Sequence, residues 1–198
     1  MEMARRDQLC DAAISVIARS GLRGLTHRAV DQVAGVPEGS TSYYFRTRLA
    51  LLKAVTERLL TVDLADAPTP SATTVDSSSM DSRTVDLETV AELGASTVAH
   101  WVGAGRDRML ARYEISLEST RQPELRETFV KAGQPVRDLI VHALSELGAP
   151  DAVRQGVDFV ACLDGLIYDQ LAGAGGARSK KDVKKTLREI LAGYMRVR

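Results

Sequence analysis

The amino-acid sequence predicts an all-α protein with a three-helix N-terminal unit, a larger helical domain behind it and about nine helices altogether. Apolar residues recur along most of the chain at the spacing of one helix face. No run of five residues alternates between apolar and polar with hairpin-turn residues on both sides, as a half-buried strand would. Glycines and prolines stand where the apolar stripes begin or end, as expected of helix termini.

The composition is ordinary for a globular protein. Of the 198 residues, 44% are hydrophobic and 26% are charged, which excludes a disordered chain. No apolar stretch is long enough to span a membrane, and the first residues lack the apolar segment of a secretory signal, so we expect a cytoplasmic protein. Two cysteines, Cys10 and Cys162, are too few for a disulfide framework or a four-ligand metal site.

The 26 basic and 26 acidic side chains are unevenly distributed along the chain. Residues 1–60 carry nine Lys or Arg against six Asp or Glu, whereas residues 61–100 carry one against seven. The basic N-terminal segment is compatible with a polyanionic partner. A solvated surface explains such a small excess equally well, so charge alone decides nothing.

The first predicted helix covers residues 6–19. One of its faces is apolar and consists of Leu9, Ala13, Val16 and Ile17. Gly21 follows this stripe and is expected to end the helix, because glycine readily adopts the left-handed conformation found at helix C-termini.

Two shorter helices follow, separated by a tight turn. Thr26 offers an N-cap hydroxyl to the second helix, and Gly35 is expected to end it. Pro37 suits the first position of the third helix, since no amide hydrogen is needed there. The third helix is expected to run to about Tyr44 or Phe45.

Beyond this unit the apolar spacing predicts one helix after another. The stretch 67–84, rich in Ser, Thr, Asp and Pro, is expected to be a mobile loop, because it has little apolar area to bury. The helix that begins near Pro123 is expected to be interrupted around residues 133–135. The predicted helices are 48–66, 86–102, 106–121, 123–147, 150–171 and 181–195.

The third helix is too polar to be a core element and is therefore the first candidate functional segment. It carries Glu38, Ser40, Thr41, Ser42 and two tyrosines within two turns. Small hydroxyl side chains allow a helix to approach DNA closely and can bond to phosphates and base edges. A polar turn between two core helices is the alternative interpretation of the same residues.

Several residues of this segment form a pattern typical of a known family. They are Gly24-Leu25-Thr26, Val33-Ala34-Gly35-Val36, Gly39-Ser40, Tyr43-Tyr44-Phe45 and Leu51-Leu52. Over about residues 5–60 the chain resembles the tetracycline-repressor (TetR) family of bacterial transcriptional regulators. Thr41 and Ser42 depart from that pattern, because an apolar and an aromatic residue are more usual there, and Leu49 replaces a commonly acidic residue.

The resemblance implies a dimer that binds a palindromic operator in double-stranded DNA and is controlled by a small effector. It implies a DNA-binding domain at 1–47, with the helix-turn-helix at 26–45, and a domain for effector binding and dimerisation at 48–198. By position, Gly39 allows close approach to DNA, and Arg48 stands where the family often has a phosphate-binding lysine. The candidate DNA-binding residues are Thr26, His27, Arg28, Pro37, Glu38, Gly39, Ser40, Thr41, Tyr43, Tyr44 and Arg48.

An effector site is expected where apolar side chains and a few polar groups converge. The apolar candidates, which predict a largely apolar effector, are Trp101, Met109, Tyr113, Leu117, Phe129, Phe159 and Leu163. The polar candidates are Glu114, His142 and Asp164. For any one of these residues, packing or a surface position is the alternative. No metal site is expected, since the three histidines are widely separated in the sequence. No cofactor is expected either.

The helices 150–171 and 181–195 are the candidate dimer interface. The first is apolar over a wide arc, so it must be covered on both sides. Two such helices from each chain would make a four-helix interface, and an intramolecular core is the alternative.

Two other classes of function fit the sequence less well. An enzyme is disfavoured, because no phosphate-binding glycine loop, nucleophile elbow or metal-ligand spacing is present in the sequence. A helical scaffold without DNA binding is the third possibility, which Thr41 and Ser42 keep open. Salt-sensitive binding to duplex DNA would distinguish the regulator from this scaffold.

Overall fold

The computed structural model describes residues 2–66 and 86–196. Within these ranges every regular element is a helix, which confirms the predicted all-α class. The nine helices described are α1 (Glu2–Gly24), α2 (His27–Ala34), α3 (Ser40–Tyr44), α4 (Arg48–Ala65), α5 (Leu87–Val102), α6 (Arg106–Ser119), α7 (Pro123–Glu146), α8 (Ala152–Leu171) and α9 (Lys180–Arg196). The predicted mobile loop 67–84 lies outside the described residues. None of the described helices is long and apolar enough to cross a membrane.

The chain divides into two compact units. Of the described residues, 2–66 and 104–134 form the first unit, and 86–103 and 135–196 form the second. The boundary thus falls inside α7, at Pro135. The predicted interruption of this helix near residues 133–135 was wrong, since α7 is helical throughout. Proline there removes one backbone hydrogen bond of the helix without ending it.

The core of the first unit forms around α1, which packs against α2, α4 and α6. The predicted stripe of α1 is buried, as the four residues Leu9, Ala13, Val16 and Ile17 are at most 5% exposed. Burying a side chain such as Leu or Ile contributes about 1.5–3 kcal/mol, so this stripe is a principal source of the unit's stability. At Gly21 the backbone leaves the helical conformation (φ 62°), which places the predicted break inside α1.

Local capping sets the ends of α2 and α4. The hydroxyl of Thr26 accepts a hydrogen bond from the Ala29 amide at 3.1 Å, as predicted. Gly35 ends α2 with φ 66°, a left-handed conformation that glycine adopts without strain. Thr47 caps α4 in the same way as Thr26 caps α2, since its hydroxyl accepts from the Ala50 amide at 3.1 Å.

The start of α3 differs from the prediction. Pro37 is not the first residue of this helix, which begins three residues later at Ser40. The reason is Gly39, whose left-handed backbone (φ 93°) is incompatible with a helix running through from Pro37. The carbonyl of Pro37 instead accepts hydrogen bonds from the amide and the hydroxyl of Ser40, which closes the turn.

In the second unit, α5 packs against both α8 and α9. The approach is close at Gly94, where a Cβ atom would lie 2.8 Å from Leu187 Cδ1 and 3.4 Å from Leu163 Cδ2. Along the surface, Lys184 contacts Glu88 and Glu92 at 3.4 and 2.9 Å, and its pKa is raised mainly by the hydrogen bond to Glu92. Such exposed pairs contribute little to stability, so apolar packing holds α5 in place.

Candidate nucleic-acid interface

A buried carboxylate joins the two helices of the helix-turn-helix. Asp31, on α2, is 3% exposed, and its Oδ2 atom accepts a hydrogen bond from the Gly39 amide at 2.8 Å. Its Oδ1 atom accepts from the Thr41 amide at 2.7 Å and from the Thr41 hydroxyl at 2.5 Å. Three donors at the start of α3 therefore converge on one side chain of α2.

The protonation state of Asp31 follows from these bonds. Burial by itself would raise its pKa, because a charged carboxylate loses water. The hydrogen bonds from Thr41 and Gly39 outweigh that effect, so the pKa of Asp31 lies below its usual value. The side chain is therefore ionised at neutral pH, as charge-assisted hydrogen bonds require.

Side chains of α1 are bonded to the C-terminal ends of both helices of the motif. Gln8 donates a hydrogen bond to the carbonyl of Ala34 at 2.8 Å, at the end of α2. Arg6 donates to the carbonyl of Tyr44 at 3.4 Å, and its guanidinium lies 4.7 Å from the centre of the Phe45 ring. The ends of α2 and α3 are thus attached to the same helix.

With α3 held in this way, one side of it faces solvent. Tyr43 is 77% exposed, and its ring contacts the ring of Tyr44 edge to face at 5.1 Å. Ser42 is exposed, whereas Ser40 and Tyr44 are half-buried. The solvent side of α3 is therefore polar and aromatic, which suits a DNA surface.

The other predicted DNA-binding residues around the motif are mostly accessible. Thr26, Arg28, Pro37, Glu38 and Gly39 are exposed. The guanidinium of Arg28 lies 3.6 Å from the carboxylate of Glu38, an exposed pair that DNA can separate at little cost. A Cβ atom at Gly39 would meet no described atom within 4 Å, so the approach to this turn is open.

Three predicted contacts are placed differently. Thr41 is 0% exposed and its hydroxyl donates to Asp31, so the predicted DNA contact is replaced by a structural role. His27 is half-buried, and its Nε2 atom is buried without a hydrogen-bond partner in the described part of the chain. Arg48 is exposed, but its guanidinium donates to the carbonyl of Leu22.

Sequence reasoning missed Asp31 and omitted Ser42 from the candidate contacts. Asp31 follows the apolar residue Val30 and stands three residues before Ala34, so helical periodicity places it on the buried side of α2. That position was the signal available in the sequence. Val33, on the same helix, is 48% exposed. An acidic residue on the buried face of a helix requires a partner, and the partner proves to be the start of α3.

Arg48 also lines a polar cleft of about 460 Å³ in the first unit. Glu114, a predicted polar effector contact, accepts a hydrogen bond from the Leu22 amide at 3.3 Å in this cleft. Glu118 lies nearby with its pKa lowered, first by the hydrogen bond from Arg121. Glu118 is thus paired with Arg121, whereas Arg48 and Glu114 are bonded to the backbone of Leu22.

A second buried carboxylate connects α4 to α6. Asp63 is paired with Arg112, and it also lies 3.8 Å from the guanidinium of Arg108. Arg108 contacts Asp66 as well, at 2.8 Å. Removing one partner of such a buried pair leaves an uncompensated charge, so the pair helps to hold α6 against α4.

The predicted effector contacts fall into both units. Met109 is buried in the first unit, Tyr113 and Phe129 are half-buried there, and Leu117 is 65% exposed. Trp101, Phe159 and Leu163 are buried in the second unit, where His142 and Asp164 are exposed.

Within the second unit the three buried candidates lie along the α5–α8 contact. Phe159 and Leu163 reach within 4 Å of a Cβ placed at Gly94, and Trp101 lies two turns further along the same face of α5. The ring of Trp101 is in edge-to-face contact with His100 at 4.9 Å. In the described ranges, no three His, Cys, Asp or Glu side chains are grouped to hold a metal ion.

Comparison with known proteins identifies relatives of the whole chain. Residues 85–195 match the family model described as "Tetracyclin repressor-like, C-terminal domain". The HTH-type transcriptional regulator BetI of Klebsiella pneumoniae (strain 342) is 27% identical over 202 residues, covering 98% of this chain and 93% of BetI. BetI of Escherichia coli O45:K1 (strain S88 / ExPEC) is 29% identical over 203 residues, covering 98% of this chain and 96% of that BetI.

Solved structures of similar fold cover nearly the same length. The multidrug binding protein EbrR complexed with ethidium is 25% identical, with a TM-score of 0.67 over 94% of this chain and 98% of EbrR. A transcriptional regulator from Rhodococcus sp. Rha1 has a TM-score of 0.76 at 19% identity, over 96% of this chain and 95% of the regulator. At that level of identity the second likeness is one of fold alone.

The charge of Asp31 generates a prediction about stability and pH. Asp31→Asn is expected to lower the free energy of unfolding by about 1–3 kcal/mol at neutral pH, because its amide nitrogen cannot accept from Gly39. The wild-type carboxylate contributes fully above about pH 4, where an unfolded aspartate is ionised. That contribution is lost as the pH falls through the lower folded pKa. Urea unfolding between about pH 3 and pH 7 should therefore show the two proteins converging in acid, and a pH-independent difference would contradict this assignment.

Proposed function

Because the chain belongs to the TetR family of ligand-responsive, DNA-binding transcriptional regulators, we propose that it is a repressor controlled by a small effector. In this proposal a homodimer binds a palindromic operator and leaves it when the effector binds. The observation that carries the proposal is the solvent-facing polar side of α3, held in place by a buried carboxylate of α2. Such a regulator would work in the cytoplasm, where its operator is.

The DNA side of the proposal uses exposed groups of the motif. Ser42 and Tyr43 enter the major groove and contact base edges or phosphates, with Ser40 and Tyr44 at the margin of the surface. Thr26, at the N-terminus of α2, lies where backbone amides and the helix dipole favour a phosphate. The functional boundary proposed from sequence, 1–47 for DNA recognition and 48–198 for the remainder, separates these groups from the effector site.

A dimer is proposed because α8 has two apolar sides. Phe159, Leu163 and Ile167 are buried within the second unit, whereas Val153 and Val157 remain exposed on an adjacent side of the helix. The ranges proposed for the interface, 150–171 and 181–195, correspond to α8 and α9. Pairing these helices across a two-fold axis would present two α3 helices to half-sites roughly 34–36 Å apart.

The effector is proposed to bind in the second unit against Trp101, Phe159 and Leu163. These side chains are apolar and buried, and they belong to the two helices in contact at Gly94. The effector is accordingly proposed to be largely apolar, and the ethidium bound by EbrR supplies a first probe. Met109, Tyr113, Leu117 and Phe129 belong to the first unit, and their role in effector binding stays a prediction from the sequence.

Release of DNA is proposed to follow a population shift. The effector binds better to a conformation in which the two α3 helices no longer match successive major grooves. Its differential affinity limits the effect, typically to about 1–3 kcal/mol of coupling. The ion pair of Asp63 with Arg112 is the contact through which a displacement of α6 would reach α4 and the motif.

The DNA-binding proposal is tested by selecting duplexes from a random library and titrating the selected duplex with protein at two salt concentrations. Tyr43→Ala should weaken binding by about 1–3 kcal/mol, because an exposed aromatic contact to DNA is lost while the fold is unaffected. Leu64→Ala, an exposed change on α4, is the control and should bind as the wild type does. If folded dimer enriches no sequence, the chain is a helical scaffold without DNA binding.

The dimer proposal is tested by placing a charge on the free face of α8. Val157→Asp should yield monomers in sedimentation equilibrium, because an unpaired carboxylate would be buried in the interface. Val33→Asp is a matched control, since Val33 and Val157 are 48% and 49% exposed but lie in different units. Val157→Asp protein that remains dimeric would move the interface elsewhere.

The effector proposal is tested by calorimetry with ethidium in the absence of DNA. Trp101→Leu should weaken ethidium binding roughly tenfold, because an aromatic contact is lost while apolar bulk is kept. Trp101→Phe retains the aromatic face and should bind nearly as the wild type does. Since Trp101 is the only tryptophan, quenching of its fluorescence provides an independent signal. If both variants bind ethidium as tightly as the wild type does, Trp101 is not a contact.

A further inference from the structure

The short recognition helix α3 depends on groups outside itself for its orientation. It has five residues, Ser40–Tyr44, and its N-cap is Gly39, which has no side chain to cap it. Isolated helices shorter than about 12 residues are marginal in water, so α3 cannot hold its own conformation. Asp31 supplies the missing acceptor from α2.

We propose that Asp31 is a positioning residue for operator recognition, acting through Thr41 to set which side of α3 faces DNA. This inference rests on the proposed function, in which α3 is the recognition helix. Asp31 itself is buried and touches no ligand surface. Its effect on DNA binding is transmitted by the amides of Gly39 and Thr41 and by the Thr41 hydroxyl.

The direction of the Thr41 side chain determines the directions of its neighbours. Successive residues of an α-helix are separated by about 100° around its axis, since a turn contains about 3.6 residues. Fixing Thr41 inward therefore points Ser42 and Tyr43 toward solvent, as their exposure shows. Without the hydroxyl bond, α3 can rotate or fray, and the same side chains then miss their base edges.

A hydrogen-bonded pair here takes the place of apolar packing. Thr41 occupies a position where the family more usually has an apolar residue. Such a residue would be held in place by apolar packing alone. The carboxylate–hydroxyl bond is directional, whereas apolar contact is not. The pair Asp31 and Thr41 thus constitutes a specificity-determining element of this chain, although neither side chain is available to DNA.

The test separates positioning from packing with three threonine variants. Thr41→Val keeps the branched shape and loses the hydroxyl, whereas Thr41→Ser keeps the hydroxyl and loses a buried methyl group. Thr56→Val is the matched control, because Thr56 is also buried and its hydroxyl donates to the Leu52 carbonyl at 2.8 Å within α4. Asp31→Asn is the companion variant at the acceptor.

Affinity is measured for the duplex that the wild type selects and for a scrambled duplex of the same composition. Thr41→Val and Asp31→Asn should lose tenfold or more in affinity for the selected duplex, with scrambled-duplex affinity nearly unchanged, since phosphate contacts dominate nonspecific binding. Thr41→Ser and Thr56→Val should remain close to the wild type. Circular dichroism at the assay temperature checks that each protein is folded. If Asp31→Asn does not fold, the comparison of Thr41→Val with Thr41→Ser still tests the inference.

Four results would overturn the inference. If Thr41→Ser binds the selected duplex more weakly than Thr41→Val, packing rather than the hydroxyl positions α3. If Thr56→Val loses as much specific affinity as Thr41→Val, the effect is one of general stability. A wild type that selects no duplex would overturn the proposed function and this inference together, whereas a selective wild type with equally selective variants would overturn this inference alone.

Discussion

The geometry of the proposed DNA-binding surface depends on the buried charge of Asp31. A carboxylate removed from water is costly unless its oxygens are hydrogen-bonded, and here three donors from the start of α3 satisfy it. The same bonds satisfy amides that the five-residue helix would otherwise leave open. One interaction thus compensates the burial of a charge and ends the turn between α2 and α3. The exposure of Ser42 and Tyr43 is a consequence of it.

Around this interaction, the first unit links its helices through a small number of polar contacts on a common apolar core. Helix α1 carries the central stripe, and its Gln8 and Arg6 reach the ends of α2 and α3. The Leu22 amide near the break in α1 is bonded to Glu114 of α6. Because α6 contacts both α1 and α4, a change at α6 alters the support of the helix-turn-helix. That arrangement suits a regulator whose DNA affinity must respond to a ligand.

In the second unit, α8 carries apolar side chains both on its buried side and on its exposed side. The buried side of α8 approaches α7 so closely at Gly156 that a Cβ atom would lie 2.7 Å from Val141 Cγ2. The other side of α8 retains exposed valines and a tyrosine. Exposed apolar residues grouped on one helix face are unusual for a surface without a partner. The proposed dimer interface would cover them, whereas the internal core contains Phe159, Leu163 and Ile167.

The sequence by itself determined the helical class, most helix ends and the family resemblance. These features depend on local patterns: the stripe of α1, the caps Thr26 and Gly35, and a motif contained in about 20 residues. Helix ends were missed where a neighbouring residue outweighed the local signal, as Gly39 does for Pro37. Pro37 favours a helix start, whereas the left-handed conformation at Gly39 prevents a helix from continuing through it, so α3 begins after Gly39.

Only the tertiary structure decided the role of Thr41, the partner of Asp31 and the division of the effector candidates between two units. Asp31 and Thr41 are ten residues apart and lie on different helices, so no periodicity relates them. Glu114 and Leu22 are separated by 92 positions. Periodicity indicates that a residue faces inward, but the group it meets there depends on how helices distant in sequence pack. That is the physical reason why the sequence predicted the helices and their motif, while the fold alone assigned Thr41 to the interior and Tyr43 to the surface.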